Sequence, residues 1–457
     1  MTQVKGKKVL VLGAGKSGVS AAKFALALGA SGVTLSDIKP KEKLSEEALL
    51  LEGRGVVLET GVHSNETILE SDVIIMSPGI PAAGDWYDMA ARHSKEIVGE
   101  IEFACGYTDA KIIAVTGTNG KTTTATLMYE IFKAQQTGEK TALAGNIGTP
   151  LCDVLMKDRT YEYIILEVSS FQLETIKKFK PYIAVILNIT EDHLDRYAGI
   201  QEYAEAKARI FRNQNDNDYL ILNANDRFTN IMSSMSKSNK VLFSVSDIIP
   251  DGYYMKNNFF YKNVFGEEKE IFGAENIKLR GPHNYENITA CLIISDIMKF
   301  DLKMTEKTIK NFNGLPHRME YAGTAGGKTF YNDSKATNID AAVKAVSSFG
   351  KNTALILGGR EKGTDFRPLY DAAGENIKLI IALGENAVKI ENIFSDKIPV
   401  VRVSSMAEAV DAGLDADVES VVLSPACASF DMFKNYSHRG DVFKKNVLKA
   451  VKNEQTS

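Results

Sequence analysis

The sequence predicts an α/β protein of about three domains, and three observations carry that prediction. The chain has 457 residues, which at roughly 150 residues per domain is room for three. Short β-branched runs alternate with helical patterns along most of it, the signature of βαβ units and parallel sheets. Two glycine-rich turns, Gly13–Gly18 and Gly117–Gly120, each follow an apolar run and precede a helical stretch.

The first block holds predicted strands at Lys8–Leu12, Val33–Ser36, Val56–Glu59 and Val73–Ser77, with helical stretches at Ser17–Leu28 and Glu46–Gly53 between them. A second block opens at the strand Lys111–Val115 and continues through Tyr163–Val168, Tyr182–Leu187 and Tyr219–Leu222. Between about 240 and 271 the pattern changes to short runs around Asp251-Gly252 and Asn263, which reads as a small antiparallel insertion. After Gly314-Leu315-Pro316 the alternation restarts, with strands at Lys328–Tyr331, Thr353–Leu357, Leu379–Leu383, Val400–Val403 and Val421–Leu423. The domains are therefore expected at 1–99, 100–314 and 315–457.

Lys plus Arg number 54 and Asp plus Glu 58, a formal net charge of −4, which lacks the basic excess of a general nucleic-acid binder. The four cysteines form no CxxC pair and read as free thiols rather than zinc ligands. No apolar run approaches the length that spans a bilayer, and no signal-peptide pattern is present, so the expectation is a cytoplasmic protein without membrane insertion.

The strongest chemical signal is Thr116-Gly117-Thr118-Asn119-Gly120-Lys121-Thr122-Thr123. Glycines let backbone amides turn toward phosphate oxygens, and the helix N-terminus adds partial positive charge. Lys121 can reach the β- and γ-phosphates, and the Thr122 hydroxyl stands where it can meet Mg²⁺. The spacing from Gly117 to Gly120 is shorter than in the Walker A pattern. Gly13-Ala14-Gly15-Lys16-Ser17-Gly18, with Asp37 ending the next strand, fits a dinucleotide fingerprint, a site for another nucleotide, or a tight structural turn. Nothing else in the chain resembles hydride chemistry, which favours a nucleotide other than NAD over an NAD-dependent oxidoreductase.

Glu167 ends an apolar strand in the same block as the phosphate loop, where a Mg²⁺ ligand would sit, and His193 follows another strand as a second candidate. Lys207, in a helical stretch, reads by composition as a surface lysine, and Asn284 and Asn287 as helix-start residues. Downstream, His317-Arg318 is followed by three strings placed just after predicted strands: Asn332–Asn338, Gly358–Gly363 and Ser424–Asp431. Open α/β sheets bind ligands at such ends, and the basic and hydroxyl side chains there suit an anion.

Taken in order, Gly-Thr-Asn-Gly-Lys-Thr-Thr, Glu-Val-Ser-Ser-Phe-Gln-Leu, Asp-His-Leu-Asp, His-Asn-x-x-Asn, Leu-Pro-His-Arg, Asn-Asp-Ser-Lys-Ala-Thr-Asn and Ser-Pro-Ala-Cys-Ala-Ser-Phe-Asp resemble the Mur ligase family over residues 8 to about 443. These are ATP-dependent enzymes that add amino acids to UDP-linked cell-wall precursors. The C-terminal strings are most similar to the branch that joins D-glutamate to UDP-N-acetylmuramoyl-L-alanine, ahead of sibling ligases and folylpolyglutamate synthetases.

The resemblance implies a Rossmann-like first domain holding the UDP precursor, a central P-loop ATPase-like domain with a mainly parallel sheet, and a Rossmann-like C-terminal domain bringing the amino acid. It places Lys16, Ser17, Asp37, Lys39 and Gly79 around the uridine diphosphate, and Asn146 and Ser169 on the precursor. It implies that Gly117, Thr118, Asn119, Gly120, Lys121, Thr122, Thr123, Asn284, Asn287, Arg318, Asp333 and Lys335 serve ATP. Thr122, Glu167, His193 and Lys207 would surround two Mg²⁺ ions, Lys207 as a carbamate. That last assignment comes from the resemblance alone. Lys362, Ser429, Phe430 and Tyr436 would hold D-glutamate, and Arg360 stands where some relatives carry an aspartate. Lys121, His193 and Lys207 are the implied catalytic groups. The expected enzyme is a monomer whose C-terminal domain closes before chemistry.

Overall fold

The computed structural model describes residues 2–456 apart from 147, 194–195, 347–348, 350–351, 361–362, 364 and 375. The chain forms two compact units, Met1–Ala274 with Glu286–Thr308, and Glu275–Tyr285 with Ile309–Ser457.

The first unit contains two sheets. One comprises β1 (Lys8–Leu12), β2 (Gly32–Asp37), β3 (Val56–Thr60), β4 (Val73–Met76) and β5 (Glu96–Gly99), all parallel in the order β3-β2-β1-β4-β5. Runs such as Val9–Leu12 and Val73–Met76 are buried on both faces, as parallel strands covered by helices must be. The expected helix at Glu46–Gly53 is instead a four-residue helix, Glu46–Leu49, followed by a 3₁₀ turn at Glu52–Arg54. Gly55, at φ +88°, ends that turn with a left-handed residue, so the chain reverses before a second helical turn can form.

The other sheet comprises β6 (Lys111–Thr116), β7 (Thr141–Gly145), β8 (Tyr163–Glu167), β9 (Ile183–Ile186), β10 (Tyr219–Asn223), β11 (Asn239–Ser244), β12 (Gly252–Lys256), β13 (Phe259–Val264) and β14 (Glu267–Gly273). Their order is β14-β13-β12-β11-β10-β9-β6-β8-β7. The expected antiparallel insertion is an extension of this sheet. β11 and β12 continue it in parallel, and only β12-β13-β14 run antiparallel. One apolar cluster runs between the two sheets of this unit, and Phe24, Phe103 and Tyr107 meet edge-to-face within it at 5.5 Å, while a smaller cluster around Leu10, Leu12 and Ile74 covers the other face of the first sheet.

The second unit is built on β15 (Glu320–Ala325), β16 (Lys328–Asn332), β17 (Thr353–Leu357), β18 (Ile377–Leu383), β19 (Val400–Val403) and β20 (Ser420–Leu423), in the order β15-β16-β20-β17-β18-β19. Only β15 is antiparallel to its neighbour. Apolar clusters cover both faces. The C-terminal ends of β16, β17 and β20, three adjacent strands, carry the three strings singled out in the sequence. No helix among the described residues is long and apolar enough to cross a membrane.

Candidate active site

β6 is buried almost throughout and delivers the chain to Gly117–Gly120, from which the helix Lys121–Phe132 starts. Gly120 adopts φ +83°, and a Cβ there would lie 2.2 Å from Asn287 Oδ1, so only glycine fits. The loop is laced to the segment after β9: the Thr118 amide donates to Asn188 O at 2.8 Å, and the Asn119 amide to Asn188 Oδ1 at 2.9 Å. The helix has no side-chain N-cap and no acidic residue in its first turn, which leaves a positive helix end. Thr122 and Thr123 stand half-buried in that turn.

Two amines converge on one carbonyl. Lys121 Nζ donates to Gly117 O at 2.8 Å and Thr118 O at 2.9 Å, and Lys207 Nζ donates to the same Gly117 O at 2.9 Å. Lys207 is 1% exposed and lies over the Tyr203 ring at 4.4 Å. Burial first, then the charge of Lys121, pushes its amine well below the ordinary lysine range, with Asp192 pulling weakly the other way. The surface lysine that composition suggested is therefore a buried one.

Glu167 is also buried, at the end of β8, and its register partner on the adjacent β6 is Val115, two residues before Gly117. Asn146, after β7, donates through Nδ2 to Glu167 Oε1 at 3.1 Å and through its amide to Glu167 O at 2.9 Å. Ser169 forms a capping box with Gln172 at the start of the helix Ser170–Leu173. His193 adopts φ +54° and leaves 44% of its side chain exposed. Its ring lies 4.7 Å from Phe171 and 6.2 Å from Tyr203, with Nε2 3.7 Å from Asp192 Oδ2. Among the described residues no three His, Cys, Asp or Glu side chains form a ligand cluster. The oxygen donors Thr122 and Glu167 nevertheless suit Mg²⁺, which usually keeps several waters and phosphate oxygens.

In the other sheet of this unit, Gly13 and Gly18 pack so closely that a Cβ on Gly18 would lie 1.8 Å from Gly13 O. Asp37 receives the Ala14 amide on Oδ2 at 2.7 Å and the Lys39 amide on Oδ1 at 2.9 Å, so its carboxylate ties the glycine turn to the end of β2. Lys16 donates to Gly148 O, Ser17 is half-buried, and Lys39 and Gly79 are exposed. Ser77 Oγ bonds Gly13 O at 3.1 Å, bringing the loop of Gly79 to the same turn.

In the second unit, Asp333 accepts from Ser424 Oγ at 3.0 Å and from the Met319 amide at 3.2 Å. Burial dominates and pushes its carboxyl up to about 7. Lys335 lies 5.8 Å over the Tyr436 ring, Arg318 and Phe430 are exposed, and Ser429 is buried. Asn284 donates to Arg280 O at 2.8 Å. Lys362 lies outside the described residues. Arg439, which sequence reasoning missed, is 1% exposed and donates to Ser334 Oγ, Ser334 O and Cys427 O at 2.9–3.0 Å, clasping two of the strand-end strings. Its only sequence signal is an arginine in the first turn of a helix, where nothing shows that it is buried.

Comparison with known proteins meets this geometry domain by domain. Residues 7–99 match the Mur ligase MurD-like N-terminal domain, 115–295 the Mur ligase middle domain, and 317–427 the Mur ligase glutamate ligase domain. A UDP-N-acetylmuramoylalanine--D-glutamate ligase of Koribacter versatilis is 40% identical over 454 residues, covering 99% of either chain. The chain belongs to the Mur ligase family. A second Mur ligase, bearing the same enzyme name in Geotalea daltonii, is 40% identical over 96% of this chain and 97% of its own. The solved Mur ligase UDP-N-acetylmuramate-alanine ligase of Thermotoga maritima shares the fold at 19% identity, with a TM-score of 0.53 over 98% of this chain and 99% of that one. Of the predicted residues, the Gly117–Lys121 loop and Lys207 meet through Gly117 O, and Asn146 meets Glu167 on the strand next to β6.

Proposed function

We propose that this Mur ligase joins D-glutamate to UDP-N-acetylmuramoyl-L-alanine at the expense of ATP, a step of peptidoglycan precursor synthesis. The observation that carries a phosphoryl-transfer reading is the convergence of the Lys121 and Lys207 amines on Gly117 O, at a positive helix end, with Glu167 on the adjacent strand. The choice of D-glutamate is supported by the relatives that carry that enzyme name over nearly their full length. A nicotinamide oxidoreductase is disfavoured, because the relatives that carry the ligase name match nearly the whole chain and that reading leaves the Gly117–Thr123 loop unexplained.

The precursor's terminal carboxylate attacks the γ-phosphorus of ATP, forming a C–O–P link while the bond to ADP breaks. A carboxylate resists nucleophiles because of its charge and its poor leaving group, and phosphorylation removes both obstacles. The neutral amine of D-glutamate then adds to the carbonyl, and phosphate departs with the acyl oxygen from the tetrahedral intermediate. Lys121, released from the loop carbonyls, balances charge on the transferring phosphoryl group, and the amides of Gly117–Thr123 orient it. Bound Mg²⁺ would neutralise phosphate oxygens, and Thr122, Glu167 and His193 would hold two such ions, with a carbamate on Lys207 as an extra oxygen ligand of the second. Burial and the nearby Lys121 charge favour the neutral amine on Lys207, the form that takes up carbon dioxide. Asn146 orients Glu167. His193 is the candidate to accept the amine proton where no metal holds its ring. In the second unit Ser429, Phe430, Tyr436 and Lys362 receive D-glutamate, and Arg318, Asp333 and Lys335 serve the nucleotide.

ADP release with UDP-N-acetylmuramoyl-L-alanine and ATP–Mg²⁺, compared across D-glutamate, L-glutamate, L-alanine and a diamino acid, tests the reading. Release that depends on D-glutamate is expected. Release with another amino acid instead would move the enzyme to a sibling.

A further inference from the structure

Arg196 serves two loops at once. Its Nε and Nη2 grip the two oxygens of Glu174 at 3.2 and 2.5 Å, while Nη1 and Nη2 donate to Pro78 O and Ile80 O, each at 3.4 Å. The guanidinium carbon lies 4.5 Å from the centre of the Phe171 ring, and Phe171 is the ring against which His193 rests. Glu174 is fixed in turn, by the Tyr197 hydroxyl at 2.6 Å on Oε1 and by Arg209 on its carbonyl. The fork therefore points from a clamped base. On the other side, the segment 77–80 is anchored at its start, where among the described residues the Ser77 amide donates to Leu12 O at 2.9 Å and Ser77 Oγ to Gly13 O at 3.1 Å. Beyond Ser77, Gly79 is exposed with open space where a Cβ would stand, the Ile80 amide donates to Ser77 O, and the Ile80 side chain packs on the small cluster of Leu10, Leu12 and Ile74. A planar guanidinium can bond a carboxylate along one edge, carbonyls along another and a ring on its face, whereas an ammonium cannot.

We infer that Arg196 is a positioning residue that locks the Ser77–Ile80 loop to the loop bearing His193, so that the precursor site and the phosphoryl-transfer site are held in one register. This rests on the reading above that Gly79 faces the precursor. Loss of Arg196 frees the Pro78 and Ile80 carbonyls and the Phe171 face together, and precursor affinity falls while the Gly117–Gly120 loop, which is tied to Asn188 and Thr190 by bonds that do not involve Arg196, keeps its ATP affinity.

Trp86 is the single tryptophan and packs in the same small cluster as Ile80, so its emission reports this segment without ambiguity. Titration of the full-length protein with UDP-N-acetylmuramoyl-L-alanine, read by Trp86 emission, is compared with ATP binding by calorimetry in wild type, Arg196→Met and Arg196→Lys. Amide hydrogen exchange is followed without ligand. Loss of charge-assisted bonds predicts precursor affinity weakened about tenfold in Arg196→Met, partly restored in Arg196→Lys, with ATP affinity unchanged. The Ile80 amide should exchange faster while those of Ile74 and Ile75 in β4 do not. Unchanged precursor affinity, or equal weakening for both ligands, overturns the inference. If wild type binds no precursor, the functional reading fails and the exchange arm alone decides Arg196, an unchanged Ile80 rate overturning it. If Arg196→Met does not fold, Glu174→Gln, which loosens the clamped base, is read by the same measures.

Discussion

Replacing Gly120 by alanine separates two costs that the structure assigns to one atom. The first is backbone: at φ +83°, a side chain costs about 1 kcal/mol. The second is contact: the new Cβ would stand 2.2 Å from Asn287 Oδ1 and 3.0 Å from Leu187 Cδ1. Asn287 Oδ1 accepts from Thr124 Oγ1 at 3.1 Å, and both residues are buried, so moving the amide breaks a buried hydrogen bond at about 1–3 kcal/mol. The sum is about 2–4 kcal/mol. Gly55 is the control, because it has φ +88° with nothing within 4 Å of its Cβ and carries the backbone cost alone, about 1 kcal/mol. Urea unfolding should place Gly120→Ala well below Gly55→Ala, and calorimetry should show ATP affinity lost only in the former. Equal stabilities together with wild-type ATP affinity in Gly120→Ala would refute the loop geometry and its role.

Three further outcomes follow from the same structure. Lys207→Ala should lower ADP release at least about 100-fold, with partial recovery in added acetate or formate; undiminished release would remove Lys207 from the reaction. Glu100 is wholly buried, with Oε1 taking the Cys152 amide and Oε2 meeting no hydrogen-bond partner among the described residues, and burial raises its carboxyl from 4.5 to about 7. The folded protein thus holds that proton more tightly than the unfolded one, so stability falls as pH rises from about 4.5 through 7, by roughly 3 kcal/mol. Glu100→Gln should lack that fall, and parallel stability–pH curves for the two proteins would contradict the assignment. Ser169→Ala removes the capping box of the helix Ser170–Leu173 and should cost about 1 kcal/mol, measured by urea unfolding.

The parts of the site that were legible in sequence are those written in consecutive residues. The glycine turn Gly117–Gly120 between a strand and a helix was legible because its glycines, lysine and threonines are contiguous, and Glu167 at its strand end because a carboxylate closing an apolar run is conspicuous. Side-chain pairings across the fold were not legible. Asn146 meets Glu167, and Arg196 meets Glu174, only once β7, β8 and the following segments are packed. β7 itself went unforeseen: Thr141-Ala142-Leu143-Ala144-Gly145 lacks the β-branched run that marked its neighbours, and its place beside β8 rather than its propensity makes it a strand. Lys207 reads as solvated by composition, because nothing local reveals that its helix turns it onto Gly117 O. The direction of β11 was hidden too, since short alternating runs do not say whether a strand joins its sheet parallel or antiparallel.

The most direct test of the central claim follows the oxygen. UDP-N-acetylmuramoyl-L-alanine labelled with ¹⁸O at both carboxylate oxygens is turned over with ATP–Mg²⁺ and D-glutamate, and the released phosphate is weighed by mass spectrometry. Activation of the carboxylate as an acyl phosphate predicts one ¹⁸O in each phosphate released and the other in the new amide. Unlabelled phosphate, released at the same rate with or without D-glutamate, would mean that the site hydrolyses ATP against water and that this account of the ligase is wrong.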